Sequence, residues 1–379
     1  MKGQINKERL GDLFTSLCKI DSPSKQEGRV ATRLKEIFAG LGAEAILEDD
    51  SASQTGSDCG NLLVRFFGSL DRQPVFFNCH MDTVEPGVGV KVRRQGDTFF
   101  SAGDTVLGAD DKSGIAVFIE VMHVLQENKI AHGPVEFLFT TCEEIGLRGV
   151  KSLNFPSIRA KIGYALDTTG IDRIVFGAPA ANRLVIEITG LAAHAGLNPE
   201  KGINAIQLGA QAIARLDLGR LDEESTANIG LISGGTATNI IADNVVIKGE
   251  VRSHSESKLA GYTEDIRKTF ERTVRDWSGR ANGGGQPTLT FSVNKEYPVM
   301  QIKRDDPVRK RIEGAAAGLK RTLHFTVAGG GSDANILCSQ GRSCLIVGTG
   351  MNNVHTTEES IDLQDMVRTA ELVMAILTA

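Results

Sequence analysis

Apolar positions along the chain fall into two rhythms. In one, they recur at helical spacing: Leu10, Leu13, Phe14 and Leu17 near the start, Val30, Leu34, Ile37 and Phe38 over 27–40, and Met366, Ala370, Val373 and Leu377 over 363–378. In the other they form short runs near 61–67, 74–79 and 135–141, which read as buried strands. Their alternation predicts an α/β layer fold, a central sheet covered by helices. The rhythm changes after Asp167. From about 176 the order reads strand 183–189, helix 202–216, strands 227–233 and 244–253, helix 256–275 and strand 288–293, a compact α+β unit. After about 297 the first pattern resumes, with a helix near 306–319 and a strand at 343–347. The expected division is therefore a larger domain from 1–176 and 297–379, interrupted by an inserted domain over 177–296.

A length of 379 residues exceeds the usual span of one core, in keeping with two domains. The 41% hydrophobic and 23% charged content is that of a soluble globular protein, and a net charge of -5 gives no basic footprint for nucleic acid. No segment is apolar for long enough to span a bilayer, and the amphipathic start is broken by charges, unlike a signal sequence. The six cysteines include no Cys-x-x-Cys pair, so a reducing cytoplasm is the expected compartment.

Five stretches bring histidine or carboxylates to places where an apolar run ends or a helix begins. Asn78-Cys79-His80-Met81-Asp82-Thr83 follows a buried run, and Gly108-Ala109-Asp110-Asp111 opens a helix. Thr141-Cys142-Glu143-Glu144 ends another run, Leu166-Asp167 a third, and 345–350 leads through Asn352 and Asn353 to His355. The carboxyl edge of a sheet is where open α/β folds place their sites. Adjacent carboxylates repel unless a cation or a shared proton intervenes. Imidazole with carboxylates suits Zn²⁺, Mn²⁺ or Co²⁺, and two cations sharing one carboxylate answer the repulsion. Cys79 and Cys142 read as small core residues beside the site.

The motifs HMDTVEPG, GADDKSG, EEIGLRG, ALDTTG, GGSDAN and GTGMNNVHTTEE resemble, in this order, those of the co-catalytic zinc metallopeptidases that include peptidase T, carboxypeptidase G and aminoacylase, with peptidase T-like members nearest. The resemblance implies a three-layer α/β/α catalytic domain with an inserted ferredoxin-like domain that serves as lid and dimerisation module. It implies His80, Asp110, Glu144, Asp167 and His355 as metal ligands, with Asp110 shared by two divalent ions, zinc first and cobalt or manganese as alternatives. Asp82 would anchor the His80 ring through its carboxylate, and Glu143 would be the general base acting on a metal-bridging hydroxide. It further implies His194 as polariser of the scissile carbonyl, Asn239 and Arg252 as holders of the substrate carboxylate, and a cis Asp110–Asp111 bond. The expected activity is hydrolysis of a peptide bond in short peptides, by an aminopeptidase or tripeptidase. The same residues would serve an N-acyl amino acid deacylase, a related amidohydrolase. A non-catalytic peptide- or metal-binding protein is the rival of another class, and the presence of Glu143 and of every bridging acid argues against it. In such relatives the small domains pair, which would make a homodimer and carry His194 toward the partner's site. Gly329-Gly330-Gly331-Ser332 lacks the lysine of a phosphate loop and reads as a tight turn lining the site.

Overall fold

Every residue of Leu62–Phe66, Val75–His80 and Val135–Thr140 is buried, as strands covered on both faces must be. The computed structural model describes residues 3–277 and 285–378. They divide into two units, one running up to Ala178 and resuming at Met300, the other Pro179–Val299. The boundaries differ from the expected 176 and 297 because Met300 pairs with Ala178, which places both on the larger sheet.

In the larger unit the sheet order is Ala45–Glu48, Leu62–Phe66, Val135–Thr140, Val75–His80, Ile162–Thr168, Ser343–Thr349, Ile171–Ala178 and Met300–Gln301, with His324–Val327 also beside Ile171–Ala178. Val75–His80 runs parallel to both Val135–Thr140 and Ile162–Thr168, and Ser343–Thr349 is parallel to the latter. Four central strands therefore end on one edge. Register aligns their ends: His80 faces Thr140, and Asn78 faces Ala165, two short of Asp167. Ile171–Ala178 went unread in the sequence because Asp172 and Arg173 interrupt its apolar residues.

Helices cover both faces. Ala109–Glu127 packs on the face of Phe77 and Phe137, where Phe118 lies 5.5 Å and 4.9 Å from their ring centres. Asp333–Ser339 lies on the opposite face, beside Asn78 and Thr140. Gly114 lets the first of these helices approach the strands that carry the site. A Cβ there would stand 2.4 Å from Cys79 Sγ and 2.9 Å from Leu166 Cβ. A small sheet of Val92–Gln95, Thr98–Ser101 and Ser360–Asp362 completes the unit.

The second unit has the order Gly219–Arg220, Ser225–Gly234, Asn244–Ser253, Ala180–Thr189, Thr288–Tyr297, every pairing antiparallel. Leu184, Ile186 and Ile188 alternate onto one face. Helices Ala205–Ile213 and Glu256–Arg275 cover that face with Leu208, Ala212, Ile266 and Phe270. The sequence strand, helix, strand, strand, helix, strand in this spatial order is ferredoxin-like. Among the described residues no helix is long and apolar enough to cross a membrane.

Candidate active site

His80 is the last residue of its strand, Asp167 lies near the end of Ile162–Thr168, and Glu143 and Glu144 stand in the turn after Val135–Thr140. Asp110 arrives differently. It follows a loop and opens the helix Ala109–Glu127, where it and Asp111 have non-helical torsions and the bond between them is cis. His355 sits in the loop after Ser343–Thr349, at φ +63°.

These residues meet in two sets that share Asp110. One ligand atom each from His80, Asp110 and Asp167 lie within 4.8 Å of one another, as do atoms from Asp110, Glu144 and His355. The two oxygens of Asp110 face different ways: Oδ1 is 3.0 Å from His80 Nε2, and Oδ2 is 3.2 Å from His355 Nε2. His355 Nε2 is also 3.0 Å from Glu144 Oε1. Glu143 belongs to neither set; it gathers instead with His80 and Glu144.

The donors fit divalent cations. Two imidazoles face four carboxylates, and among the described residues Asp111 Oδ1 is buried without a hydrogen-bond partner. Burial and then the charge of Asp110 push the Asp167 carboxyl well above its ordinary range; burial and then the charge of Asp167 do the same for Glu143. Asp110 goes the other way: burial opposes its charge, but hydrogen bonds from His355 and His80 hold its carboxyl low. The same contacts with Asp110 and Glu144 raise His355 to about 10. Such clustered charge asks for positive counter-charge, and oxygen with imidazole nitrogen is a donor set of zinc, manganese or cobalt.

Asp82 does more than the sequence implies. His80 Nδ1 lies 2.9 Å from the main-chain carbonyl of Asp82 and 3.5 Å from its carboxylate, so the ring is anchored first by the carbonyl. A carbonyl can only accept, so Nδ1 carries the proton and Nε2 faces Asp110. The carboxylate of Asp82 instead accepts the amides of Glu143 at 3.0 Å and Glu144 at 3.2 Å, and the Ser24 hydroxyl at 2.6 Å. It orients the acidic turn.

Residues 76–379 match Peptidase family M20/M25/M40. The chain belongs to this peptidase family. It is 39% identical over 374 residues, 98% of each chain, to the uncharacterised protein YqjE of Bacillus subtilis strain 168. Aminopeptidase PepT of Bacillus cereus ATCC 10987 superposes with a TM-score of 0.88 at 40% identity, and a tripeptidase of Staphylococcus aureus Mu50 with 0.91 at 35%, each covering 99% of both chains.

Three candidates of this M20/M25/M40 peptidase, His194, Asn239 and Arg252, belong to the smaller unit. The first two are neighbours: His194 bridges to Ile240, and the Ala195 amide donates to the Asn239 carbonyl at 2.9 Å. His194 is exposed, and its Nδ1 accepts the amides of Gly196 at 3.2 Å and Leu197 at 3.1 Å, which leaves the ring proton on Nε2. Glu250 accepts from the Arg252 guanidinium on one side, from Nε at 2.9 Å and Nη2 at 3.0 Å.

Buried acids missed in the sequence complete the larger site. Glu27 caps nothing by its side chain; Oε1 accepts the amides of Lys25 at 3.0 Å and Cys142 at 2.9 Å. Ser332, expected in a tight turn, caps the helix Asp333–Ser339. Asp333 is buried, accepts from Thr140 and Asn78, and is raised to about 6, chiefly by burial. Glu359 holds the Asp110 segment. In the sequence Glu359 closes the motif that carries His355, in the third Glu-Glu pair of the chain.

Proposed function

We propose that this M20/M25/M40 peptidase is a peptidase T-like aminopeptidase that cleaves short peptides at a site holding two divalent cations, zinc first, with cobalt or manganese as alternatives. The observation that carries the reading is the split of Asp110, one oxygen turned to His80 and the other to His355, in two ligand sets that Asp167 and Glu144 complete. His80, Asp110, Glu144, Asp167 and His355 would hold the cations. When bound, these would polarise the scissile carbonyl and acidify water.

Glu143, outside both Asp110-sharing sets, takes the proton of the attacking water and returns it to the leaving amine. Asp82 fixes the main chain of Glu143 and so the aim of its carboxylate. His194 offers an Nε2–H to the developing oxyanion, since its Nδ1 is occupied by two amides. Asn239 and Arg252 bind the substrate carboxylate, with Glu250 holding the Arg252 fork in one orientation.

The inserted domain serves as lid and as the dimer contact. Its strand Ser225–Gly234 is covered on its outer side by only the two-residue strand Gly219–Arg220, and it exposes Leu231 and Ile232 at 65% and 51%. Ile206 and Ala210 on the helix Ala205–Ile213 are also exposed. An uncovered apolar edge of this kind favours pairing with a second copy. The cysteines of the chain are free, which suits the cytoplasm.

The test is a panel of dipeptides, tripeptides and N-acyl amino acids incubated with zinc-loaded enzyme and followed by mass spectrometry. Release of the amino-terminal residue from free peptides is the expected result. Cleavage of N-acylated members alone would assign the chain to the deacylases.

A further inference from the structure

The loop that carries His355 is closed at its base and tied to the segment that carries Asp110. Asn352 and Ser360 exchange both main-chain hydrogen bonds, at 2.9 Å and 3.0 Å, and the Thr356 hydroxyl donates to the Asn353 carbonyl at 2.7 Å. Beside that base stands Glu359, 1% exposed. Its Oε2 accepts the amides of Leu107 and Gly108, both at 2.7 Å, and its Oε1 accepts the amide of Asp110 itself at 3.0 Å. Gly108 allows this approach: its φ is +77°, and a Cβ there would lie 3.1 Å from Thr83 Cγ2.

Asp110 and His355 are the two residues of the Glu144-containing set that come from these two segments. Neither segment is a regular strand, so their separation is not set by the sheet. Three hydrogen bonds to one buried carboxylate tie them together, beside the Ser113–Thr349 hydroxyl contact at 3.1 Å. We propose that Glu359 is a positioning residue that fixes Asp110 against His355 and thereby sets the affinity of the cation position they form with Glu144. This rests on the two-cation reading of the site.

The chemistry of the contact makes the role specific. Amides donate to both oxygens, so both must accept, and a carboxylate offers acceptor lone pairs at both ends. Glutamine has the same shape, but one end is an amide NH₂, which donates and does not accept. Its NH₂ would face either the Asp110 amide or the pair from Leu107 and Gly108, donor against donor in a dry site.

The experiment is competition of Zn²⁺ between a chromophoric chelator and the full-length protein, wild type and Glu359→Gln, with folding checked by circular dichroism. Wild type should bind two equivalents. In the variant one equivalent should weaken by about 10- to 100-fold, the usual effect of removing a partner behind a metal ligand, and more than the other. Two equivalents bound by the variant with wild-type affinity, or both weakened alike, would overturn the role of Glu359. Wild type binding fewer than two equivalents would overturn the two-cation reading itself. Should the variant fail to fold, hydrogen exchange in the metal-free wild type decides. The amides of Leu107, Gly108 and Asp110 should be strongly protected, and exchange as fast as in an exposed loop would overturn the proposal.

Discussion

Glu27 offers a contrast in which glutamine should succeed and alanine should fail. Its side chain is fully buried, and it meets three amide or hydroxyl donors, the Lys25 and Cys142 amides at Oε1 and the Ser57 hydroxyl at Oε2, 2.5 Å away, beside the weaker Cys142 thiol at Oε1, 3.4 Å away. Lys25 and Cys142 both have positive φ, at +79° and +52°, a conformation that costs a non-glycine residue roughly 1–2 kcal/mol. Glu27→Ala orphans all three donors. At roughly 1–3 kcal/mol for each buried unsatisfied group, the sum is about 3–9 kcal/mol. Water entering the vacated space and the removal of a buried charge offset part of it, so about 3–5 kcal/mol is expected. Cys142 precedes Glu143, and relaxation of its φ would move the acidic turn; displacement on the order of 1 Å costs about 10²-fold in rate. Glu27→Gln keeps an oxygen for the two amides and turns its NH₂ toward Ser57, whose hydroxyl oxygen can accept. Its cost should stay below about 1.5 kcal/mol, the net worth of one hydrogen bond. Urea unfolding gives the stabilities and peptide turnover the rates. Equal damage by both substitutions, or an alanine variant within about 1 kcal/mol of wild type, would refute this reasoning about donor satisfaction.

Dialysis against a strong chelator should abolish turnover, and Zn²⁺, Co²⁺ or Mn²⁺ should restore it; full activity in protein that elemental analysis finds metal-free would remove the two-cation reading. Glu143→Gln should leave metal content near wild type while kcat falls by about 10²–10⁴, the range of general acid–base catalysis, and loss of metal would exchange the roles given to Glu143 and Glu144. If His194 serves the partner's site, mixing inactive Glu143→Gln with inactive His194→Ala under subunit exchange should return part of the activity, since one site then carries neither lesion. No recovery despite demonstrated exchange would assign His194 to its own chain.

What was legible in the sequence was whatever depends on the nearest neighbours in the chain. Val75–His80 and Val135–Thr140 were readable because strands covered on both faces must be apolar throughout, and the larger helices because their buried faces repeat. Ile171–Ala178 was not, because the charge of Asp172 is met by Arg321 at 2.8 Å and by Arg368, residues far along the chain. Asp110 was legible as the opening of a helix, which Ala109–Glu127 is.

The same division runs through the acids of the site. Asp110, Glu144 and Asp167 are recognisable as a class because ligand-type residues recur at the ends of apolar runs and helices. Asp82, Glu27 and Glu359 are the same residue types, but their carboxylates face main-chain amides: those of Glu143 and Glu144, of Lys25 and Cys142, and of Leu107, Gly108 and Asp110. Every non-proline residue carries such an amide, so the partner leaves no mark in the sequence; only the folded path brings it within reach. The two groups of acids also meet opposite demands. One set crowds like charge until a cation is wanted, whereas the other is neutralised locally by donors that cannot dissociate. Chelation should therefore loosen the first set and leave the second in place, so that the metal-free protein keeps the scaffold onto which the cations return.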